Sequence, residues 1–314
     1  MDEVIDYLLA GDPALRFQTL RDLTDAPADV VAAERARIAT EGWGARFLAE
    51  QAEDGRWDAG TYRPGWVDDD RPFFDAWTAT HFSLQSLMEL GVDPADPAVV
   101  TAIARVRENV RWEHEGQPYF DGEVEPCING VALAVAAYFG QDAGEIVQSL
   151  LASRLPDGGW NCWAEDGASV SSFHSTICAV EGLWAWEGAT GGSDAVTAAR
   201  LAGEEYLLER SLLRRRSDGA IIDPRFAMAS YPTRWYYDVL RGLDHFRQTR
   251  TPDDPRFAEA IDLIRSARLP TGRWKIENAH QGPRLFRYEG EFEGFPSRWV
   301  TLRALRVLKW ADAA

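Results

Sequence analysis

The sequence predicts an all-α fold, a closed α/α barrel of about six inner and five to six outer helices, on three observations. The same turn recurs three times, as Glu50-Gln51-Ala52-Glu53-Asp54-Gly55-Arg56-Trp57, Ser153-Arg154-Leu155-Pro156-Asp157-Gly158-Gly159-Trp160 and Ala267-Arg268-Leu269-Pro270-Thr271-Gly272-Arg273-Trp274. Each Gly-x-Trp turn follows one helical pattern and precedes another, so a single module has been copied along the chain. Those helical patterns are of two kinds, amphipathic before the turns and apolar after them. No stretch alternates with a strand's period of two for more than a few residues.

The turn glycines Gly55, Gly158 and Gly272 stand 103 and 114 residues apart, and weaker turns at 115–120 and 217–221 divide those intervals. Each repeat is therefore 42 to 61 residues, enough for two helices and a loop. Outer helices are expected over 41–52, 95–110, 142–155, 193–213 and 254–268. Charged residues such as Arg105, Arg107, Glu204, Glu205, Arg265 and Arg268 give these a wet face. Inner helices are expected over 73–90, 126–139, 172–187, 232–248 and 296–312, with 13–24 as a sixth. Val131 to Phe139 has no polar side beyond Tyr138, so it must be buried all round. Asp75, Ser171, Ser172 and Ser230 are N-cap candidates, and Pro126 suits a first helical turn. No composition break marks a boundary, so 1–314 reads as a single domain, with the N-terminal helices of 1–40 completing the barrel.

A net charge of −17 and a pI near 4.7 exclude a basic nucleic-acid footprint and electrostatic docking on anionic lipid. Three cysteines, Cys127, Cys162 and Cys178, make no disulfide framework, which points to a reducing compartment. The N-terminus is acidic where a signal peptide is basic, and no apolar run reaches a membrane span. A cytoplasmic location is expected.

The unit at 44–57, Gly-x-x-Phe-Leu-x-x-Gln-x-x-x-Gly-x-Trp, resembles the repeat of squalene and oxidosqualene cyclases. Protein prenyltransferase β-subunits carry the same repeat in degenerate form. The resemblance spans about 40–312 and implies an α/α toroid with a central apolar cavity. It also implies an isoprenoid-active enzyme with a hydrophobic substrate, although a fold by itself assigns no function.

In such a toroid the N-terminal ends of the inner helices ring one mouth of the cavity. Their positive partial charge draws polar groups and anions there. This chain places His81 on the second inner helix, Glu125 and Cys127 at the start of the third, and His174 at the start of the fourth. A carboxylate, a thiolate and an imidazole on neighbouring helices are a three-ligand Zn²⁺ set with an open fourth position. Prenyltransferase β-subunits use an Asp-x-Cys pair and a later His, similar in order to Glu125-x-Cys127 and His174. Here Glu replaces Asp, and no basic residues stand just before Glu125. Asp238 or His81 are alternative ligands, and a Cys127 nucleophile activated by His174 is a metal-free alternative.

The fifth and sixth inner helices share Pro232-Thr233-Arg234-Trp235 and Pro296-Ser297-Arg298-Trp299. Arg234 and Arg298 are the expected anion ligands, because a guanidinium matches phosphate or carboxylate bidentately. Trp77, Trp163, Trp235 and Trp299 are cavity-wall candidates for an isoprenoid chain or a carbocation, whereas Trp57, Trp160 and Trp274 read as structural staples of the repeat. Asp68-Asp69-Asp70 is followed by Arg71-Pro72 and lacks the Asp-x-Asp-Asp pattern of a class II terpene cyclase acid. It reads as a solvated acidic loop. The same residues leave a carbohydrate-active reading open, with Tyr236, His, Arg and carboxylates in a Trp-lined groove. They also leave open a non-catalytic binding protein.

Overall fold

The computed structural model describes residues 2–67, 76–288 and 292–313, so Asp68-Asp69-Asp70 and Asp75 lie outside the described residues. The fold is all-α. Among the described residues there are thirteen α-helices, with isolated bridges in place of strands. Among the described residues no helix is long and apolar enough to cross a membrane. The chain packs into two compact units. A terminal unit comprises Met1–Arg37, Leu207–His280 and Phe286–Ala314, and a middle unit comprises Ile38–Tyr206 and Gln281–Leu285. The acidity belongs to one of them. The terminal unit carries 23 basic and 22 acidic residues, the middle unit 10 and 28.

Helices α1 (Asp2–Leu9), α2 (Pro13–Leu23) and α3 (Ala28–Ala36) open the terminal unit. The middle unit holds α4 (Gly42–Ala49), α5 (Thr80–Leu90), α6 (Pro97–Asn109), α7 (Pro126–Tyr138), α8 (Gly144–Ala152) and α9 (Phe173–Thr190). Next come α10 (Asp194–Leu208), then α11 (Val239–Thr249), α12 (Ala258–Ser266) and α13 (Arg298–Ala311). Helices α4, α6, α8, α10 and α12 fall in the spans expected for one set, and α2, α5, α7, α9, α11 and α13 in those expected for the other.

The repeated turn has one stereochemistry in all three copies. The indole of Trp57, Trp160 and Trp274 is buried and donates to the carbonyl ten residues earlier, on Phe47, Leu150 and Ile264, at 2.7, 2.8 and 2.7 Å. The backbone N–H of the same tryptophan donates to a threonine hydroxyl of the following helix, Thr80, Thr176 or Thr301, at 3.1, 3.1 and 3.0 Å. So each tryptophan ties the helix before it to the helix after it. The glycine two residues upstream has φ of 86°, 103° or 78°, where a side chain is strained. It also meets a further helix. A Cβ on Gly55 would stand 2.7 Å from the Arg105 carbonyl of α6, and one on Gly158 would stand 2.8 Å from that of Ala202 in α10. A Cβ on Gly272 would instead stand 2.8 Å from the Val4 side chain of α1.

In the middle unit α7 is buried from Pro126 through Ala136 and crosses α9 at a glycine pair. A Cβ on Gly130 would lie 2.3 Å from the backbone of Cys178, and one on Gly182 would lie 2.3 Å from the Gly130 carbonyl. The two backbones touch because neither position carries a side chain.

Helix starts agree with the sequence at Pro126, which opens α7, and at Ser172, which caps α9 by accepting from Ser175 N–H. Two starts fall later than expected. α5 begins at Thr80, because Trp77 N–H is bonded to the Pro283 carbonyl and the backbone there is not helical. α11 begins at Val239, because Arg234 sits at φ 55°, which no right-handed helix contains. Its cap is Asp238 and not Ser230. Ser230 instead donates its hydroxyl to the Asp238 carboxylate at 2.5 Å.

Candidate metal centre

Glu125, Cys127 and Cys162 bring one ligand atom each to within 4.8 Å of one another in the middle unit. Glu125 is the residue before α7, and its carboxylate makes no capping bond. The Cys127 thiol, two residues on, donates to Glu125 Oε2 at 3.6 Å. The loop leading in is pinned by Asn129, which accepts the Glu123 N–H at 2.7 Å and donates back to the Glu123 carbonyl. Pro126 gives up no useful hydrogen bond at the first helical turn.

Cys162 arrives from the loop after the Trp160 turn. Its sulfur accepts the Cys127 backbone N–H at 3.3 Å, one of the orphan donors of α7. The Ser175 hydroxyl of α9 donates to the same sulfur at 3.2 Å and accepts the Cys162 N–H at 3.1 Å. Two helix starts therefore hold the second sulfur in place. Cys127 is buried, and Glu125 and Cys162 are half-buried.

The electrostatics show a group short of positive charge. Burial and the neighbouring Glu123 push the Glu125 carboxyl up. The hydrogen bond with Cys162, burial and the Glu125 carboxylate push the Cys127 thiol well up. Without a cation Cys127 stays a thiol, and the thiolate is the nucleophile. A divalent ion reverses both shifts. One of the three separations matches such an ion. Zn–S near 2.3 Å and Zn–O near 2.1 Å place tetrahedral ligand atoms roughly 3.5 to 3.8 Å apart, and Cys127 Sγ stands 3.6 Å from Glu125 Oε2.

His174 is not part of this group. It precedes Ser175 by one residue on α9, and successive residues turn by about 100° around a helix. With Ser175 aimed at Cys162, the imidazole is carried to another face. Sequence reasoning passed over Cys162, whose available signal was its place in the loop that enters α9, two residues beyond the repeat tryptophan.

An aromatic cluster borders the group. The Tyr62 hydroxyl feels Cys127, Glu125 and Cys162, which with burial raise its pKa. Its ring lies 5.0 Å from Phe82 and 5.4 Å from His81. His81 is 2% exposed, bonds Tyr119 through Nδ1 at 3.1 Å and packs near Trp112. Burial lowers its pKa to about 3, so it is neutral near pH 7. The unfolded chain takes up a proton below pH about 6.5 that folded His81 refuses. Stability from this group is complete above pH 6.5 and falls by about 1.4 kcal/mol per unit as pH drops toward 3. His81→Gln is expected to flatten that part of a stability–pH curve measured by urea unfolding. An unchanged slope between pH 6.5 and 4 would show that His81 is not its source.

The remaining expected site residues are distributed as follows. Trp77 is buried, with its indole bonded to the Gln281 carbonyl at 2.7 Å and its ring edge-on to Phe82. Trp163, expected on a cavity wall, is 67% exposed. It lies in a run of tight turns over 161–168 that carries it outward. In the terminal unit the Asp238 carboxylate, besides capping α11 through Arg241 N–H, holds Ser230 through N–H and hydroxyl. Arg234 is buried, and its carbonyl accepts from Arg241 at 3.1 Å. Trp235 and Tyr236 stack at 3.8 Å, and His280 stacks on the other face of Tyr236 at 3.9 Å. Arg298 donates to the Tyr7 carbonyl at 2.6 Å and lies over the Tyr7 ring at 4.2 Å, which ties α13 to α1. Trp299 is buried and stacks on Tyr231 at 4.8 Å. None of these joins the Glu125–Cys127–Cys162 group among the described residues.

No family model matches this chain, and a comparison with curated proteins gives no match. Among solved structures it is similar to that of a protein from Actinoplanes, at 15% identity and a TM-score of 0.49, over 96% of this chain and 89% of that one.

Proposed function

We propose that Glu125, Cys127 and Cys162 bind one Zn²⁺ ion with a fourth position open to substrate, and that the chain is an isoprenoid-active enzyme of the squalene cyclase and prenyltransferase type. The observation that carries this reading is the convergence of two thiols and a carboxylate within 4.8 Å at the start of α7. Three protein ligands and an open position are the pattern of catalytic zinc. The ion supplies a Lewis-acid centre that lowers the pKa of a bound thiol or water, or polarises a substrate oxygen. The chain's own residues do the positioning. The Cys127 N–H and Ser175 hydroxyl orient the Cys162 sulfur. Glu125 would bind as the carboxylate, and the Cys127 proton would go to solvent. The hydrophobic substrate follows from the resemblance of the Gly-x-Trp repeat, with apolar burial and π-faces as the gain for such a chain.

Metal content tests the ligand set. Protein purified without a histidine tag is expected to hold about one zinc per chain. Cys127→Ser and Cys162→Ser are expected to lose it, while His174→Ala keeps it. Wild-type protein that stays metal-free after zinc is added back contradicts the reading. Zinc-dependent turnover of a prenyl diphosphate supports the substrate class, and zinc binding without such turnover separates the metal centre from the isoprenoid assignment.

A further inference from the structure

In the terminal unit, well apart in sequence from the metal ligands, α2, α11 and α13 share a buried charged network that is short of negative charge. Arg306 of α13 is 8% exposed. Its Nη2 donates to Gln18 Oε1 at 2.8 Å and pairs with the Asp22 carboxylate, both on α2. On α11, the Asp244 carboxylate takes Arg247 on one oxygen and Arg303 of α13, at 3.4 Å, on the other. The charged groups that Arg306 feels are two carboxylates, Asp22 and Asp244, and two further guanidiniums, Arg247 and Arg21. Three arginines thus share two carboxylates around this point, before Arg303 is counted.

Two buried donors on α2 and α13 are unmet among the described residues. Arg306 Nε has no hydrogen-bond partner, and neither has the hydroxyl of Thr19, a fully buried residue of α2 next to Gln18. A buried guanidinium N–H or hydroxyl left unbonded costs about 1 to 3 kcal/mol, so such groups signal an absent acceptor. Burial and the neighbouring arginines outweigh the two aspartates and lower the Arg306 pKa to about 10, in the sense expected of a site lacking an anion. The wider setting agrees, since the terminal unit is electrically balanced while the middle unit is strongly acidic.

We propose that this network is a binding site for a small tetrahedral oxyanion, phosphate or the terminal phosphoryl group of a small molecule, held by Arg306 with Thr19 and Arg247. Oxyanions with several acceptor oxygens answer a guanidinium fork and a hydroxyl together, which chloride does not. Of the two cations flanking Asp244, Arg247 on α11 is more open than Arg303 on α13, at 23% against 10% side-chain exposure.

The test is thermal unfolding of the full chain in inorganic phosphate against chloride at matched ionic strength, repeated with pyrophosphate and with phenyl phosphate. A saturable rise of about 5 °C specific to phosphate is expected, since a ligand near 100 times its Kd adds that order of stability. Preference for phenyl phosphate or pyrophosphate over phosphate assigns the site to a larger phosphorylated ligand, and preference for phosphate assigns it to the free ion. Arg306→Met is expected to abolish the response. Should that variant fail to fold, Thr19→Val, which removes a buried unbonded hydroxyl without changing shape, is expected to weaken phosphate about ten-fold while keeping the fold, as is Arg247→Gln. Equal responses to phosphate and chloride, or an undiminished phosphate response in Thr19→Val and Arg247→Gln, overturn the proposal.

Discussion

Trp160→Ala is expected to destabilise the middle unit by about 5 kcal/mol, as the sum of a cavity left by a buried indole and the loss of its hydrogen bond. The side chain is fully buried, and its N–H satisfies the Leu150 carbonyl at the end of α8, which would be left unbonded inside the protein. That is comparable to the whole stability of many domains. Urea unfolding followed by far-UV circular dichroism measures it. Trp160→Phe separates the two contributions, because it fills most of the space and lacks the donor, and a loss of about 1 to 3 kcal/mol is expected there. If Trp160→Ala lost under 2 kcal/mol, the turn would be a surface ornament and not the tie between successive helices. Trp57 and Trp274 make the same two bonds and are expected to behave alike.

Gly130→Ala is expected to be among the more damaging single-methyl changes. The added carbon would stand 2.3 Å from the carbonyl carbon and oxygen of Cys178, against backbone that has no rotamer to give. α7 and α9 must then part by about 1 Å to restore ordinary contact, and overpacking of that kind costs about 3 kcal/mol or more. The consequence reaches the site, because Cys127 lies three residues before Gly130 and Ser175 three before Cys178. Separation of the helices moves the Cys127 thiol away from the sulfur that Ser175 holds. A fall in zinc affinity of at least ten-fold should accompany the lost stability, read by competition with a chelating dye. Gly188→Ala in α9 meets no atom within 4 Å and serves as the matched control, with no loss expected. Full zinc affinity in a destabilised Gly130→Ala would break the link between the helix crossing and the site.

Much of the fold was legible because its repeat is written in residues with few alternative uses. A glycine at positive φ, an indole that needs an acceptor and an apolar helix that needs burial all constrain the backbone locally. Thus α7 was expected over 126–139 and is Pro126–Tyr138. The starts of α5 and α11 were not legible, because they depend on a distant partner for Trp77 and on a left-handed Arg234 that nothing in the pattern announces. The site was half legible. Glu125 and Cys127 are two residues apart and share a helix start, so their juxtaposition follows from spacing. The third member does not, because which of Cys162, His174 or Ser175 faces α7 is decided by the rotation of α9 and the path of the loop before it. Arg298 and Asp238 looked like ligands for the same reason that they make good structural ties. Charged groups at helix starts serve backbone carbonyls and caps as readily as substrates.

The most direct test of the central claim is X-ray absorption at the zinc edge of the reconstituted full-length protein. The Glu125–Cys127–Cys162 centre predicts two sulfur scatterers at about 2.3 Å and the rest light atoms near 2.1 Å, with one sulfur lost in Cys162→Ser and no change in His174→Ala. A single sulfur with an imidazole pattern that disappears in His174→Ala would contradict it and return the site to the Glu125, Cys127 and His174 set.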